Sequence, residues 1–196
     1  MRYSPEQSEQ TRQRILEACG REFRERGFGG VGVDALARSA GVTSGAFYNH
    51  FLSKADAFRA VIAAGVKRVR LAADLLHQRH GKNWLPAFAT YYLGSEHRRG
   101  IANGCALPSL SSEVARADKE TRREYQVELL ELATTLASGM SHAHDRQAAW
   151  PLIAQLVGAV SLSRAVSDPA LADEIASVVL DSVLAQVRRK SHGAAS

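Results

Sequence analysis

The sequence predicts an all-α chain: an N-terminal three-helix domain of helix-turn-helix type, joined by a long helix to a C-terminal helical domain for regulation and dimerisation. Three observations predict it. Apolar residues recur at helical spacing along most of the 196 residues rather than alternating as in strands. The composition is rich in Ala and Leu, which favour helix, and sparse in Gly and Pro. The stretch VDALARSAGVTSGAFYNHF, Val33 to Phe51, breaks at Gly41 into two short helices of different character.

A hydrophobic content of 45% and a charged content of 23% suit a globular chain with a real core, built as one compact domain or two small ones. The opening residues MRYSPEQSEQTRQR are polar, with no apolar core of a signal peptide. The longest apolar stretch, Leu152 to Val166, is interrupted by Gln155 and Arg164 and is too short for a bilayer span. Cys19 and Cys105 make neither a disulfide framework nor a metal set. A soluble cytoplasmic protein with no cofactor and no metal is expected. The net charge of +5 sits entirely in the first third: residues 1–70 hold 12 Lys/Arg against 7 Asp/Glu, and residues 71–196 hold 13 of each. A locally basic segment points to a polyanion, although a solvated helix surface has the same composition.

Residues 1–8 read as a disordered terminus. A first helix follows from about Glu9 to Arg26, with Ile15, Leu16, Cys19 and Phe23 on one face and Gly27 as its stop. Cys19 lies on the apolar stripe and reads as a packed thiol. FGGVG is a connection. Val33, Leu36, Ala37 and Ala40 give a second helix packed on the first, and Gly41 permits the abrupt turn after it. Thr43 caps a third helix, Ser44 to about His50. Phe47 and Phe51 anchor it inward with help from Val42. Its other face carries Ser44, Gly45, Ala46, Tyr48, Asn49 and His50: small residues for close backbone approach, then donors and acceptors for phosphates and base edges. Ser53 starts a fourth helix with Asp56 completing an S-x-x-D box. Phe58, Val61, Ile62, Gly65, Val66 and Val69 continue its stripe. Lys54 in its first turn is placed to reach a phosphate.

These segments, TRQRILEACGREFRERGF, VDALARSAGV, TSGAFYNHF and SKADAF in that order, resemble the tetracycline-repressor (TetR) family of bacterial transcription regulators. The resemblance covers roughly residues 8–68; the remainder, 69–190, is family-like only in being helical. It implies a homodimer whose third helix enters the DNA major groove. The implied DNA contacts are Thr43, Ser44, Gly45, Ala46, Tyr48, Asn49 and His50, with Lys54 on a phosphate. One departure is visible. Many members carry a capping Thr just before the second helix, where this chain has Val31-Gly32-Val33.

In the body, Trp84, Phe88, Tyr91 and Tyr92 form an aromatic face on a fifth helix, which GSEHRRGIANG breaks. CALPSLSSEVARA is a short helix around Pro108. A longer helix runs from about Lys119 to Met140, with Tyr125, Leu129, Leu132 and Leu136 inward. Asp145 is placed to cap the next helix, which bears Leu152, Ile153, Leu156, Val157 and Val160. Asp168-Pro169 then starts the last one, ending in the basic RRKSHGAAS. The last two helices are apolar over more than the ~100° stripe that one buried face needs, which points to burial by a second subunit; the resemblance implies the same dimer interface. Trp84, Phe88, Tyr91, Tyr92, Cys105, Tyr125 and Trp150 are the candidate lining of a ligand pocket, against the plainer reading that they are core. Cys105, at a helix start in NGCALP, is also a candidate sensor of oxidants or electrophiles. His142, His144 and Asp145 read as a solvated loop rather than a metal site.

The function expected is a ligand-responsive DNA-binding regulator: a repressor on a palindromic operator, released by a small apolar or aromatic molecule. A redox-sensing repressor acting through Cys105 is the alternative. An enzyme is disfavoured because no glycine-rich phosphate loop, metal-ligand cluster or G-x-S-x-G nucleophile motif is present. A helical dimer whose head contacts protein is a third reading.

Overall fold

The computed structural model describes residues 4–140 and 146–193, with side chains through Gln186. His142, His144 and Asp145 lie outside the described residues. Among the described residues there is no strand, and ten α-helices follow one another: α1 Pro5–Arg26, α2 Val33–Ser39, α3 Ser44–Tyr48, α4 Lys54–His80, α5 Trp84–Tyr92, α6 Ser95–Arg99, α7 Ala106–Ala115, α8 Lys119–Ser138, α9 Trp150–Ala165 and α10 Pro169–Gly193. No described helix is long and apolar enough to cross a membrane.

The chain divides into two compact units. One contains Met1–Gly65 and Ile101–Gln126, the other Val66–Gly100 and Val127–Ser196. The segment 101–126 thus groups with the N-terminal residues in the first unit. Its reason is apolar: α7 brings Ala106, Leu110 and Val114 into the same buried cluster as Ile15, Phe23, Leu36, Phe47, Phe58 and Ile62. Phe23, Phe28 and Phe58 meet there at centroid separations of 5.0–6.0 Å, within the range in which aromatic pairs attract. Cys19 is fully buried in this cluster, and burial pushes its thiol up to about 12.

Helix α1 starts earlier than the expected Glu9, because Ser4-Pro5-Glu6-Gln7 is a complete capping box. The Ser4 hydroxyl accepts from Gln7 N at 3.2 Å, and the Gln7 side chain accepts from Ser4 N at 3.1 Å. Gly27 ends the helix at φ +73°, the left-handed region that glycine enters without steric cost.

In the second unit, α9 and α10 pack along each other, α5 against α10 and α6 against α9. Asp168 caps α10 by accepting from Ala170 N at 2.9 Å. The expected break at 94–104 contains the short α6, held down by two arginines. Arg98 donates to the carbonyls of Leu93 and Ala172 and pairs with Asp173 at 2.6 Å. Arg164 donates to the carbonyls of His97 and Arg98.

Candidate nucleic-acid interface

The turn that places the candidate reader helix is closed by backbone bonds at both ends of α2 and α3. Val42 N donates to Ala37 O at 2.9 Å and Gly41 N to Arg38 O at 3.0 Å, with Gly41 at φ +68°. The chain then reverses into Thr43, whose hydroxyl accepts from Ala46 N at 3.1 Å and so caps α3. Ser44 donates its hydroxyl to the Asp34 carboxylate, tying the start of α3 to the first turn of α2. Gly32, the residue before α2, makes no side-chain cap, in keeping with the departure seen in the sequence.

Phe47 and Phe51 face inward, 0% and 1% exposed, with their rings 5.7 Å apart. They fix which residues face outward. Tyr48 is 52% exposed, its ring set edge-on to Phe47 at 5.6 Å. Gly45 and Asn49 are exposed as well, while Ser44, Ala46 and His50 are half-buried. The expected contact residues thus stand on one short element, with small residues at its N-terminal end and an aromatic hydroxyl and amide at the other. The helix spans Ser44–Tyr48 with Asn49 as its C-cap, and His50 N and Phe51 N both donate to Phe47 O at 3.0 Å.

Lys54 is placed differently from its expected role. Its Nζ donates to the carbonyls of Phe28 and Val31 at 2.9 and 3.1 Å, and stands 4.2 Å from the centre of the Phe28 ring. The ammonium therefore fastens the loop between α1 and α2 to the start of α4. That start is also satisfied internally: Asp56 N donates to Ser53 Oγ at 3.0 Å, and the Asp56 carboxylate accepts from Leu52 N at 3.0 Å. The box expected from S-x-x-D is present, reaching one residue further back than Ser53. A signal for the loop contact lay in the sequence as Phe28 followed by two glycines, but no spacing rule links residue 28 to residue 54.

One neighbour of the reader helix was missed in the sequence. The Arg12 guanidinium, on α1, lies 5.1 Å from the centre of the Phe51 ring.

The seven candidate pocket residues divide between the units. Cys105 and Tyr125 belong to the first; Trp84, Phe88, Tyr91, Tyr92 and Trp150 belong to the second. Trp84, Phe88 and Tyr92, buried at i, i+4, i+8 along α5, stack in sequence at 6.1 and 5.9 Å, and Trp84 Nε1 donates to Gly139 O at 2.8 Å. Tyr91 points the other way and is 45% exposed. Trp150 opens α9, half-buried. Tyr125 shares a hydrogen bond with Ser111 at 2.8 Å, and burial raises its phenol above the usual range. Cys105, just before α7, is 1% exposed, so the exposure that a reactive thiol needs is not present in this state. His97 meets Tyr91 and Tyr92 at 5.0 and 4.9 Å; burial first, then Arg164 and Arg68, lower its imidazole to about 4.

Residues 15–61 match the model of the bacterial regulatory proteins, tetR family. The chain is 43% identical over 58 residues to the HTH-type transcriptional regulator SrpR of Pseudomonas putida, a stretch covering 30% of this chain and 27% of SrpR. It is 35% identical over 80 residues to the HTH-type transcriptional regulator TtgR of the same species, covering 41% of this chain and 33% of TtgR. The matched stretches thus span about a third or less of those two relatives' own length. Solved structures resemble the chain over its length. E. coli NemR in its reduced form has a TM-score of 0.76 at 21% identity, covering 89% of this chain and 95% of that one. A TetR-family regulator from Cytophaga hutchinsonii has 0.76 at 20%, covering 94% and 98%. At such identities the likeness is one of fold.

Proposed function

The chain belongs to the tetR family of bacterial regulatory proteins through its N-terminal domain, and from that premise we propose that it is a ligand-responsive repressor binding a near-palindromic DNA operator as a homodimer. The observation that carries this reading is the outer face of α3. Tyr48 and Asn49 stand exposed above two fully buried phenylalanines, beside Gly45 and Ala46, which leave room for close backbone approach. Such a face offers hydrogen-bonding groups at the depth of base edges while the helix itself is held rigidly. Two heads in a dimer would occupy successive major grooves about 34–36 Å apart.

The dimer contact is assigned to α9 and α10, in agreement with apolar side chains left exposed there: Leu162, Leu171 and Val178. A small apolar or aromatic inducer would act in the second unit and favour a head spacing that the operator does not accept, a population shift carried along α4, whose residues belong to both units. The test is selection of duplexes from a random pool by the purified protein, followed by footprinting and sedimentation of the complex. Enrichment of a two-fold symmetric sequence bound by two chains is expected. Failure to enrich any sequence, or a footprint from a single chain without symmetry, overturns the reading.

A further inference from the structure

We infer that the first unit holds a ligand site of its own: a cavity between the α1–α2 loop, the start of α4 and the α7–α8 junction takes a small organic cation with an apolar body. Phe28, Ala55, Phe58 and Ala117 form its apolar wall, and Glu113 and Asp118 line it with carboxylates. All six belong to the first unit, so the site stands apart from the inducer assigned to the second. Its volume is about 190 Å³, less than the ~300–1,000 Å³ of pockets for drug-sized ligands. The occupant is therefore a fragment: one ring with a short charged tail.

The charges around the cavity select the sign. The Glu113 side chain keeps 26% of its surface in solvent, whereas Arg116, its partner at 3.6 Å, keeps 69%. So exposed a partner offsets little of the carboxylate's charge. Gly27, the cap of α1, lies against the same group: a Cβ there would meet Glu113 Oε1 at 2.9 Å. This end of α1 is the negative end of its dipole, and the basic residues of its last turn serve other groups. Arg24 donates to Ala102 O at 2.6 Å, and Arg26 pairs with Glu22 at 3.3 Å. Asp118 adds a second negative charge, its oxygens accepting from Thr121 N and Thr121 Oγ1 at 2.7 and 3.1 Å. Arg59, which acts on Asp118, is paired with Glu120. A cation at Glu113 thus meets a carboxylate and a helix end that both favour it; an anion meets two carboxylates. The Lys54 ammonium already stands over the Phe28 ring, so the rings of Phe28 and Phe58, 5.0 Å apart, receive the apolar body and Glu113 the charge. Phe28 precedes α2 and Ala55 follows α3, so the occupant touches the chain on both sides of the helix-turn-helix.

The experiment titrates three probes of one shape into the isotope-labelled full chain and follows backbone amides by NMR: phenethylamine, phenethyl alcohol and phenylacetate. Phenethylamine is expected to shift Gly27, Phe28 and Ala117 with a dissociation constant of about 0.1–1 mM, the range open to a ligand of about nine non-hydrogen atoms. The alcohol binds about tenfold more weakly, having lost one charge-assisted hydrogen bond, and phenylacetate gives no saturable shift. Glu113→Gln weakens the amine by the same factor and leaves the alcohol unchanged. Arg116→Ala, which removes the competing partner of Glu113, tightens the amine. Ala117→Leu fills the cavity and binds none of the three, with thermal melting by circular dichroism close to wild type. An amine that leaves Gly27, Phe28 and Ala117 unmoved, equal affinities for amine and alcohol, or an amine affinity unchanged in Glu113→Gln overturns the site. No DNA is present in these titrations, so a failure of the operator reading is a separate result.

Discussion

Replacing Lys54 with Met isolates the contribution of a cation that works on its own backbone. Met has nearly the same length and keeps the apolar stem packed, so the change removes the two hydrogen bonds to Phe28 O and Val31 O and the ammonium above the Phe28 ring. Hydrogen bonds to a charged donor contribute about 1.5–3 kcal/mol each when buried. Here the group is only half-buried, so the low end applies, and the loop carbonyls regain water once the loop loosens. A cation over an exposed ring adds about 0.5–1 kcal/mol. The expected cost is roughly 2–4 kcal/mol, a large share of the ~5–15 kcal/mol by which folded domains are stable. In urea unfolding followed by circular dichroism, with a slope near 2 kcal/mol per molar, the midpoint should fall by about 1–2 M. Amide exchange at Phe28–Gly32 should accelerate more than in α9. A midpoint within about 0.3 M of wild type would refute the view that the ammonium fastens this loop.

Three further outcomes are expected. Tyr48→Ala should weaken operator binding by about tenfold or more, the loss of a base-edge or backbone contact worth ~1–3 kcal/mol, while leaving the melting temperature nearly unchanged because the ring is half in solvent; unchanged affinity in a binding titration would remove Tyr48 from the readers. His97 is held neutral, lowered to about 4 from the ordinary 6.5, so the unfolded chain binds the extra proton between those values. Stability is then fully present above about pH 6.5 and declines as pH falls toward about 4; unfolding titrations of wild type and His97→Gln should differ in slope within that window, and coincident curves would count against it. Cys19 and Cys105 are both buried, so alkylation by iodoacetamide followed by mass spectrometry should be slow in the native protein and fast in urea; rapid native labelling of Cys105 would revive its sensor role.

The helices of the head were legible because each carries its own punctuation: Gly27 and Gly41 at positive φ, Thr43 capping α3, Ser53 and Asp56 closing the start of α4. The all-helical class followed from the same period repeated along the chain. The early start of α1 escaped notice because Ser4 and Gln7 sit among polar residues with no apolar stripe to draw attention to them. The direction in which Lys54 points escaped for a different reason: its partners are backbone carbonyls 26 and 23 residues away, and carbonyls leave no trace in residue identity. Helix α7 shows the same limit. Its segment CALPSLSSEVARA reads as a short helix, but nothing in it states which core the buried Leu110 and Val114 join.

That last placement affects how and when the head is made. A fragment ending near residue 68 would lack Leu110 and Val114, and Phe58 and Ile62 would lose part of their cover. Grafting this head onto another regulator would require two cuts and a matched pair of segments. On the ribosome, the first unit has its opening 65 residues early but must wait until residue 126 to finish. At about 5–20 residues per second that interval is roughly 3–12 s. During it the nascent head has apolar surface open to solvent, so a chaperone has a defined period in which to act, and slow codons between residues 66 and 126 would lengthen it.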